Sequence, residues 1–328
     1  MSDLNIVSQQ AIRGEFLAAL KAYQRPAWLS KILTTFVGPD NLRLPWIGGI
    51  SSGMALRTGS GVRERPNLQY IDLAVSEYED GAEIPLRDMQ RDVTGTLNRQ
   101  LILNALAKHD QMHWEKLVMA ALYAGTSTLC YDNAYFFADS HADADGSYTT
   151  AQDNNIDSDI SGLPGGIHGS TTVPSIEEII FAACDGIAKL VSFRDNMGEF
   201  VNEDMRSVIV FMSTSMMAQA LAARQQLVGN GQSNPLDAIK AQTGLEVEFV
   251  ASPRLIGWTA SLAVIRADSD RPVFVGLEEK LDPRLALKIY ELDSSDEAKK
   301  KEAYMVERRA NRKLKIGDWR NGCYVTLV

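Results

Sequence analysis

Residues 131–146 read YDNAYFFADSHADADG: two adjacent aromatics, Phe136 and Phe137, stand directly before a string of acids broken by one histidine. Asp139, His141, Asp143 and Asp145 alternate with small residues, a pattern that suits either a metal-binding loop or a fixed turn. Counted from His141 as a calcium loop, Asp143, Asp145 and Gly146 take the third, fifth and sixth places, but the first is histidine and the twelfth is Gln152. Those two ligands matter most in such a loop. Turn-forming aspartates are therefore the stronger reading, with His141, Asp143 and Asp145 left as weak metal candidates.

Upstream, residues 94–125 read TGTLNRQLILNALAKHDQMHWEKLVMAALYAG, with Leu97, Leu101, Ala105, Val118 and Leu122 near helical spacing. No proline interrupts, and Gly125 is placed as a C-terminal stop. The spacing predicts one helix of about 48 Å at roughly 1.5 Å per residue, a length suited to a spine. Within it, HDQMH places His109 and His113 at i and i+4 on one face, one residue from the H-E-x-x-H zinc signature. Asp110 replaces the glutamate, and a third ligand would have to be His141, His168 or an unspecified acid. A polar stripe on a partly exposed helix accounts for the same residues.

Before the helix, residues 68–75 and 82–87 form two strand-like runs around Asp80-Gly81, a strong hairpin signal. Tyr70, Asp72 and Ala74 fall on one face, and Ile71, Leu73 and Val75 on the other. Pro85 suits an edge strand. An isolated two-stranded ribbon is marginal in water and needs a neighbouring element or subunit. Earlier still, residues 43–65, RLPWIGGISSGMALRTGSGVRER, hold five glycines and three serines, too loose for a packed element. GISSG at residues 49–53 has the nucleophile-elbow spacing around Ser51, without the strand and helix that an elbow needs. The first forty residues contain one short amphipathic piece and are read as a helix-containing arm without a core of its own.

Downstream, residues 126–173 are rich in Asp, Asn, Ser and Gly. A helix follows with Ser175 as N-cap and Glu178 completing a capping box. Then SVIVFM, a helix, LEVEFVAS and ASLAVIRA alternate as a compact α/β unit over residues 174–267. The remaining residues, 268–328, read as β-rich.

Composition limits the function. A chain of 328 residues is long for one compact core, while 45% hydrophobic and 23% charged residues describe an ordinary globular protein. A formal net charge of −9 argues against affinity built on phosphate neutralisation. The polar opening MSDLNIVSQQ, with no basic start and no apolar run, does not predict a secretory signal, and no run of about 18 apolar residues could span a bilayer. Cys130, Cys184 and Cys323 are too scattered for a disulfide framework or a C-x-x-C metal pair. No Walker-type phosphate loop is present. No cofactor and no enzymatic activity are expected, and the loose arm, unsupported ribbon and spine helix favour a protein that works through contacts with its own copies.

The order of these elements resembles a known architecture. Tyr131, Asp132, Asn133, Phe136, Phe137 and His141 match the Tyr-Asp-Gly-x-x-Phe-Phe-x-x-x-His stretch that follows the spine helix in the Mu-like phage major head subunit family. Asn133 replaces a glycine, and both tolerate left-handed backbone angles. Ala142 stands where the family has proline. RPVFVG and RRANRKLKIGDW, at residues 271–276 and 308–319, resemble its C-terminal stretches, with Lys313 and Lys315 in place of glycines and Trp319 two residues late.

The resemblance implies an α+β, Hong Kong 97-type major capsid fold. It divides into an N-terminal arm (1–53), an extended E-loop hairpin (54–88), a peripheral domain (89–173) carrying the spine helix, an axial α/β domain (174–267) and a peripheral return (268–328). It further implies homo-pentamers and homo-hexamers in an icosahedral shell enclosing DNA, assembled in a bacterial host cytoplasm without membrane contact. A scaffold, a maturation protease, and decoration and portal proteins would be its partners. Arg57, Arg63, Arg65, Tyr70, Tyr78 and Arg87 are its candidate inter-subunit contacts, and Tyr131, Asp132, Phe136, Phe137 and His141 its structural motif. Phe136 and Phe137 are expected to anchor the turn after the helix, with His141 and the acids making Asx-type turn contacts. An encapsulin-like compartment holding an enzyme is the alternative within the fold, and a zinc hydrolase using His109 and His113 the alternative outside it.

Overall fold

The computed structural model describes residues 2–47, 68–85, 97–142, 148, 150–161, 171–225, 235–290 and 295–328. The expected spine is α3 (Leu97–Tyr123), preceded by α1 (Ser2–Ala22) and α2 (Ala27–Ile32). Its 27 residues span about 40 Å at ~1.5 Å per residue.

The N-terminal helix does not stand off as an arm. Ile12 and Phe16, one turn apart on α1, are buried with Leu103, Leu106 and Ala107 of the spine. Arg99 of the spine grips Glu15 through two nitrogens. Lacking a core of its own, α1 borrows the spine's, because that one apolar stripe gains more when covered than when solvated.

Two sheets flank the spine. In the first, β1 (Leu33–Gly38) runs parallel to β9 (Phe274–Glu279), β9 pairs antiparallel with β11 (Ala303–Ile316), and β11 pairs with both β10 (Leu287–Tyr290) and β4 (Ser76–Pro85). The second has the order β5 (Asn155–Ser158), β12 (Gly322–Leu327), β8 (Ser261–Arg266), β6 (Ser207–Ser213), β7 (Glu246–Ser252). Every residue of β8 is buried, as a continuous apolar run between other strands requires.

Helix α4 (Ile176–Ser192) covers this sheet with Ile179, Ala182, Ala183, Ile187 and Leu190, and Ser175 and Glu178 close the expected capping box. A Cβ at Gly186 would lie 2.6 Å from Val264, so glycine sets how close α4 comes to the sheet. Helices α5 (Met217–Gln225) and α6 (Pro235–Thr243) complete the unit. It also takes in β5 and the C-terminal β12, which lie outside residues 174–267. Residues 268–328 correspondingly divide between the two sheets.

The hairpin differs from its sequence reading. Asp80-Gly81 is no turn: β4 runs straight through it, with Asp80 opposite Arg308 and Gly81 opposite Glu307. A ten-residue ladder to β11 outweighs the local preference of one dipeptide. The ribbon is instead β2 (Asn41–Ile47) against β3 (Leu68–Ala74), in register from Asn41↔Ala74 to Ile47↔Leu68. The first five residues of the glycine-rich stretch, 43–47, are thus strand, and Val75, whose N–H donates to Asp40, is where the chain leaves the ribbon. The ribbon's root is supported at home. Ile71 and Leu73, with Leu42 and Leu44, pack on Val275 and Leu277 of β9. Tyr70, on the opposite face as the alternation predicts, is 47% exposed.

Candidate functional site

Beyond the spine the chain turns at residues 124–142 around the aromatic pair. The N–H of Phe137 donates to Gly125, and Leu129 bridges Tyr135. Asn133 sits at φ 63°, the left-handed conformation its place in the motif anticipates. Phe136 and Phe137 are buried against each other at 4.2 Å between ring centroids. Phe136 meets Phe274 edge-on at 5.9 Å, and Phe137 lies 5.2 Å from Tyr324 of β12. The pair therefore joins the end of the spine to one strand from each sheet.

His141 is not a turn residue. It is fully buried, with its ring stacked on Trp319 at 4.0 Å and an interplanar angle of 8°. Nδ1 lies 2.6 Å from Asp132 Oδ2, and Nε2 lies 3.2 Å from Asn154 Oδ1. Of the acids around it, Asp132 makes the expected Asx turn by accepting the N–H of Ala134, and Asp139 accepts from Asn155. Asp143 and Asp145 lie outside the described residues. A histidine among alternating acids reads as a turn because its partners, Asn154 and Trp319, are distant in sequence.

Asn154 is the residue that sequence reasoning missed. Its Nδ2 donates to the carbonyls of Phe136, Trp319 and Gly322, and its Oδ1 accepts from Ala138. One side chain thus satisfies backbone groups from the motif loop and from the start of β12, groups that would otherwise be buried unpaired. Around it, Arg320 donates to the Tyr131 hydroxyl and to the Arg194 carbonyl, and Gln152 exchanges two bonds with the Arg194 backbone. Asn202 donates to the carbonyls of Leu190 and Arg320, and accepts from Arg266. A lone Asn, Gln or Arg in a single sequence carries no signal of such a role. The whole is a polar clasp closing the spine, the α/β unit and the C-terminus together. Burial pushes the thiols of Cys130 and Cys323 far above their usual range, so neither supplies a nucleophile.

The zinc-like pair lies elsewhere, in an open cleft of about 300 Å³ between α3, β4 and β11. His109 Nδ1 is 3.0 Å from Asp80, and His113 Nδ1 is 3.3 Å from the guanidinium of Arg312. Tyr78 packs edge-on against His113 at 4.3 Å. Desolvation, and then Arg312, push the His113 pKa down to about 4. Asp110 is bound to both Arg308 and Arg312. A guanidinium beside one imidazole and a carboxylate already committed to two arginines do not fit a zinc site. Among the described residues no three His, Cys, Asp or Glu side chains are grouped to hold a metal. His141 is occupied in the clasp, while His168 and Ser51 lie outside the described residues.

Of the contact candidates, Tyr70 is covered on one side by Arg43, whose guanidinium carbon is 4.4 Å from the ring centre. Tyr78 is part of the cleft. Arg57, Arg63, Arg65 and Arg87 lie outside the described residues. No described helix is long and apolar enough to cross a membrane.

The family model of the Mu-like prophage major head subunit gpT matches residues 41–164, the stretch from the ribbon through the spine to the clasp. A search of curated proteins finds no match. Among solved structures, the procapsid of bacteriophage JBD30 is similar at TM-score 0.56 and 11% identity, over 99% of this chain and 76% of that one. The mature capsid of bacteriophage PhiM1 is similar at TM-score 0.53 and 12% identity, over 94% and 89%. A virus-like particle from Pyrococcus furiosus gives TM-score 0.50 at 9% identity, over 96% and 98%. At such identities these likenesses concern the fold. The family model thus falls on residues 41–164, and the capsid-subunit fold extends over nearly the full length of the chain.

Proposed function

We propose that copies of this chain build the pentamers and hexamers of an icosahedral phage head that encloses double-stranded DNA. The observation that carries this reading is the coincidence of two independent matches: the family model falls on the ribbon, spine and clasp, and the capsid fold extends over 99% of the chain. The physics agrees. The ribbon buries one face against β9 and leaves Arg43, Tyr70 and Asp72 outward. Many modest contacts of this kind add up in a closed shell. A subunit with a formal charge of −9 confines DNA rather than binding it tightly. Tyr70 and Tyr78, with Arg57, Arg63, Arg65 and Arg87, are the residues we place at contacts between subunits. Scaffold, maturation protease, portal and decoration proteins belong to the same reading, with assembly in the host cytoplasm.

Negative-stain microscopy of the expressed protein tests it. Uniform closed polyhedra are expected, and nuclease-protected DNA in shells recovered from induced cells would identify the cargo. A monodisperse monomer at high concentration would overturn the proposal.

A further inference from the structure

The clasp fixes where its protons sit. Nδ2 of Asn154 faces the carbonyl oxygens of Phe136 at 2.7 Å, Gly322 at 3.0 Å and Trp319 at 3.3 Å, while Oδ1 receives the N–H of Ala138 at 2.9 Å. Turning the amide over would set its oxygen against three carbonyl oxygens, so only one orientation satisfies the site. Nε2 of His141, 3.2 Å from that Oδ1, must therefore donate. Nδ1 lies 2.6 Å from Asp132 Oδ2, and the other oxygen of Asp132 already accepts from Ala134. Both ring nitrogens thus face acceptors, and a neutral imidazole can donate through only one.

We propose that His141 is held as an imidazolium, bonded through Nδ1 to an ionised Asp132 and through Nε2 to Asn154, and that this proton latches the C-terminal strand β12 to the loop after the spine. The side chains of His141 and Asp132 are 0% and 2% exposed, so the ion pair must be compensated locally. Asp132 supplies the opposite charge and Asn154 an oriented dipole. Trp319, stacked at 4.0 Å, supplies an aromatic face. The other ionisable groups around the clasp are matched among themselves. Asp318 meets Arg320 at 3.2 Å and Arg271 at 3.5 Å, and Arg320 also donates to the Tyr131 hydroxyl. The Cys130 thiol, raised by burial and by Asp132 and Asp318, stays neutral. The latch acts through Asn154, which can hold Trp319 and Gly322 only while its Oδ1 is turned toward His141.

The test is solid-state NMR of the full-length protein labelled with 15N-histidine, at pH 7.5. The chain has four histidines. One histidine with both ring nitrogens protonated is expected in the wild type. In Asp132→Asn that signal should be replaced by one with a bare Nδ1, because the new amide can itself donate to that nitrogen. If the variant does not fold, His141 is identified in the wild type by its ring contacts with Trp319, and the same count of ring protons decides. A bare nitrogen on His141 in the wild type, or a doubly protonated His141 that persists in Asp132→Asn, would overturn the proposal.

Discussion

Gly322 opens β12 where the C-terminal strand passes beneath Phe136. A Cβ placed there would lie 2.7 Å from Phe136 Cζ and 3.2 Å from Ile265 Cδ1. Ordinary carbon contacts are about 3.5–4.0 Å, so a methyl group demands roughly 0.8 Å of movement from the phenyl ring. Phe136 has nowhere to go, with Phe137 at 4.2 Å and Phe274 at 5.9 Å. Overpacking of this kind costs about 1–3 kcal/mol. The glycine's backbone, at φ −135° and ψ 138°, is ordinary for alanine. Stiffening the unfolded chain returns about 0.4–1 kcal/mol.

Gly322→Ala should therefore destabilise the subunit by up to about 2.6 kcal/mol, the largest difference between those two ranges. Phe136→Ala alone should cost about 3–5 kcal/mol. In that background the methyl group has room, and Gly322→Ala should become neutral or stabilising. The assay is denaturant unfolding of unassembled subunits for all members of the double-mutant cycle, with the slope m compared to confirm that only the midpoint moves. An effect of Gly322→Ala that is the same in both backgrounds to within about 0.5 kcal/mol would refute the packing argument.

Phe137→Ala removes a buried ring that touches Phe136 and Tyr324. It should cost about 3–5 kcal/mol and give misfolded or assembly-defective subunits. Tyr135→Ala, at a side chain 48% exposed, should stay within about 0.5 kcal/mol of wild type. Normal shell yield from the Phe137 variant would contradict this. His113 has its pKa lowered to about 4 by burial and Arg312. As pH falls from the ordinary histidine value of about 6.5, the unfolded chain takes up a proton that the folded chain refuses. Stability contributed by His113 is thus complete above that pH and lost toward pH 4. His113→Gln should flatten the decline, measured by unfolding midpoints across that window, and parallel curves would exclude the effect.

Local rules made several elements legible: the unbroken helical spacing of the spine, the capping box at Ser175 and Glu178, the alternation of Tyr70 and Asp72 against Ile71 and Leu73, and the left-handed Asn133. Each depends on residues within a few positions of one another, where spacing and backbone preference suffice. Asp80-Gly81 shows the limit of such rules, since the same dipeptide that favours a turn became part of a strand once β11 offered ten partners. The ribbon moved accordingly, to β2 and β3.

The sequence by itself determined a mixed α and β chain with a spine helix, an α/β alternation downstream of it and an aromatic motif that resembles that of one family. Only the tertiary structure decided that α1 lies on the spine, that β12 completes the second sheet, and that His141 is buried with Asn154 and Trp319. Those outcomes depend on desolvation and on contacts between groups that lie outside one another's local sequence. Such energies exist only once the partners have been brought together.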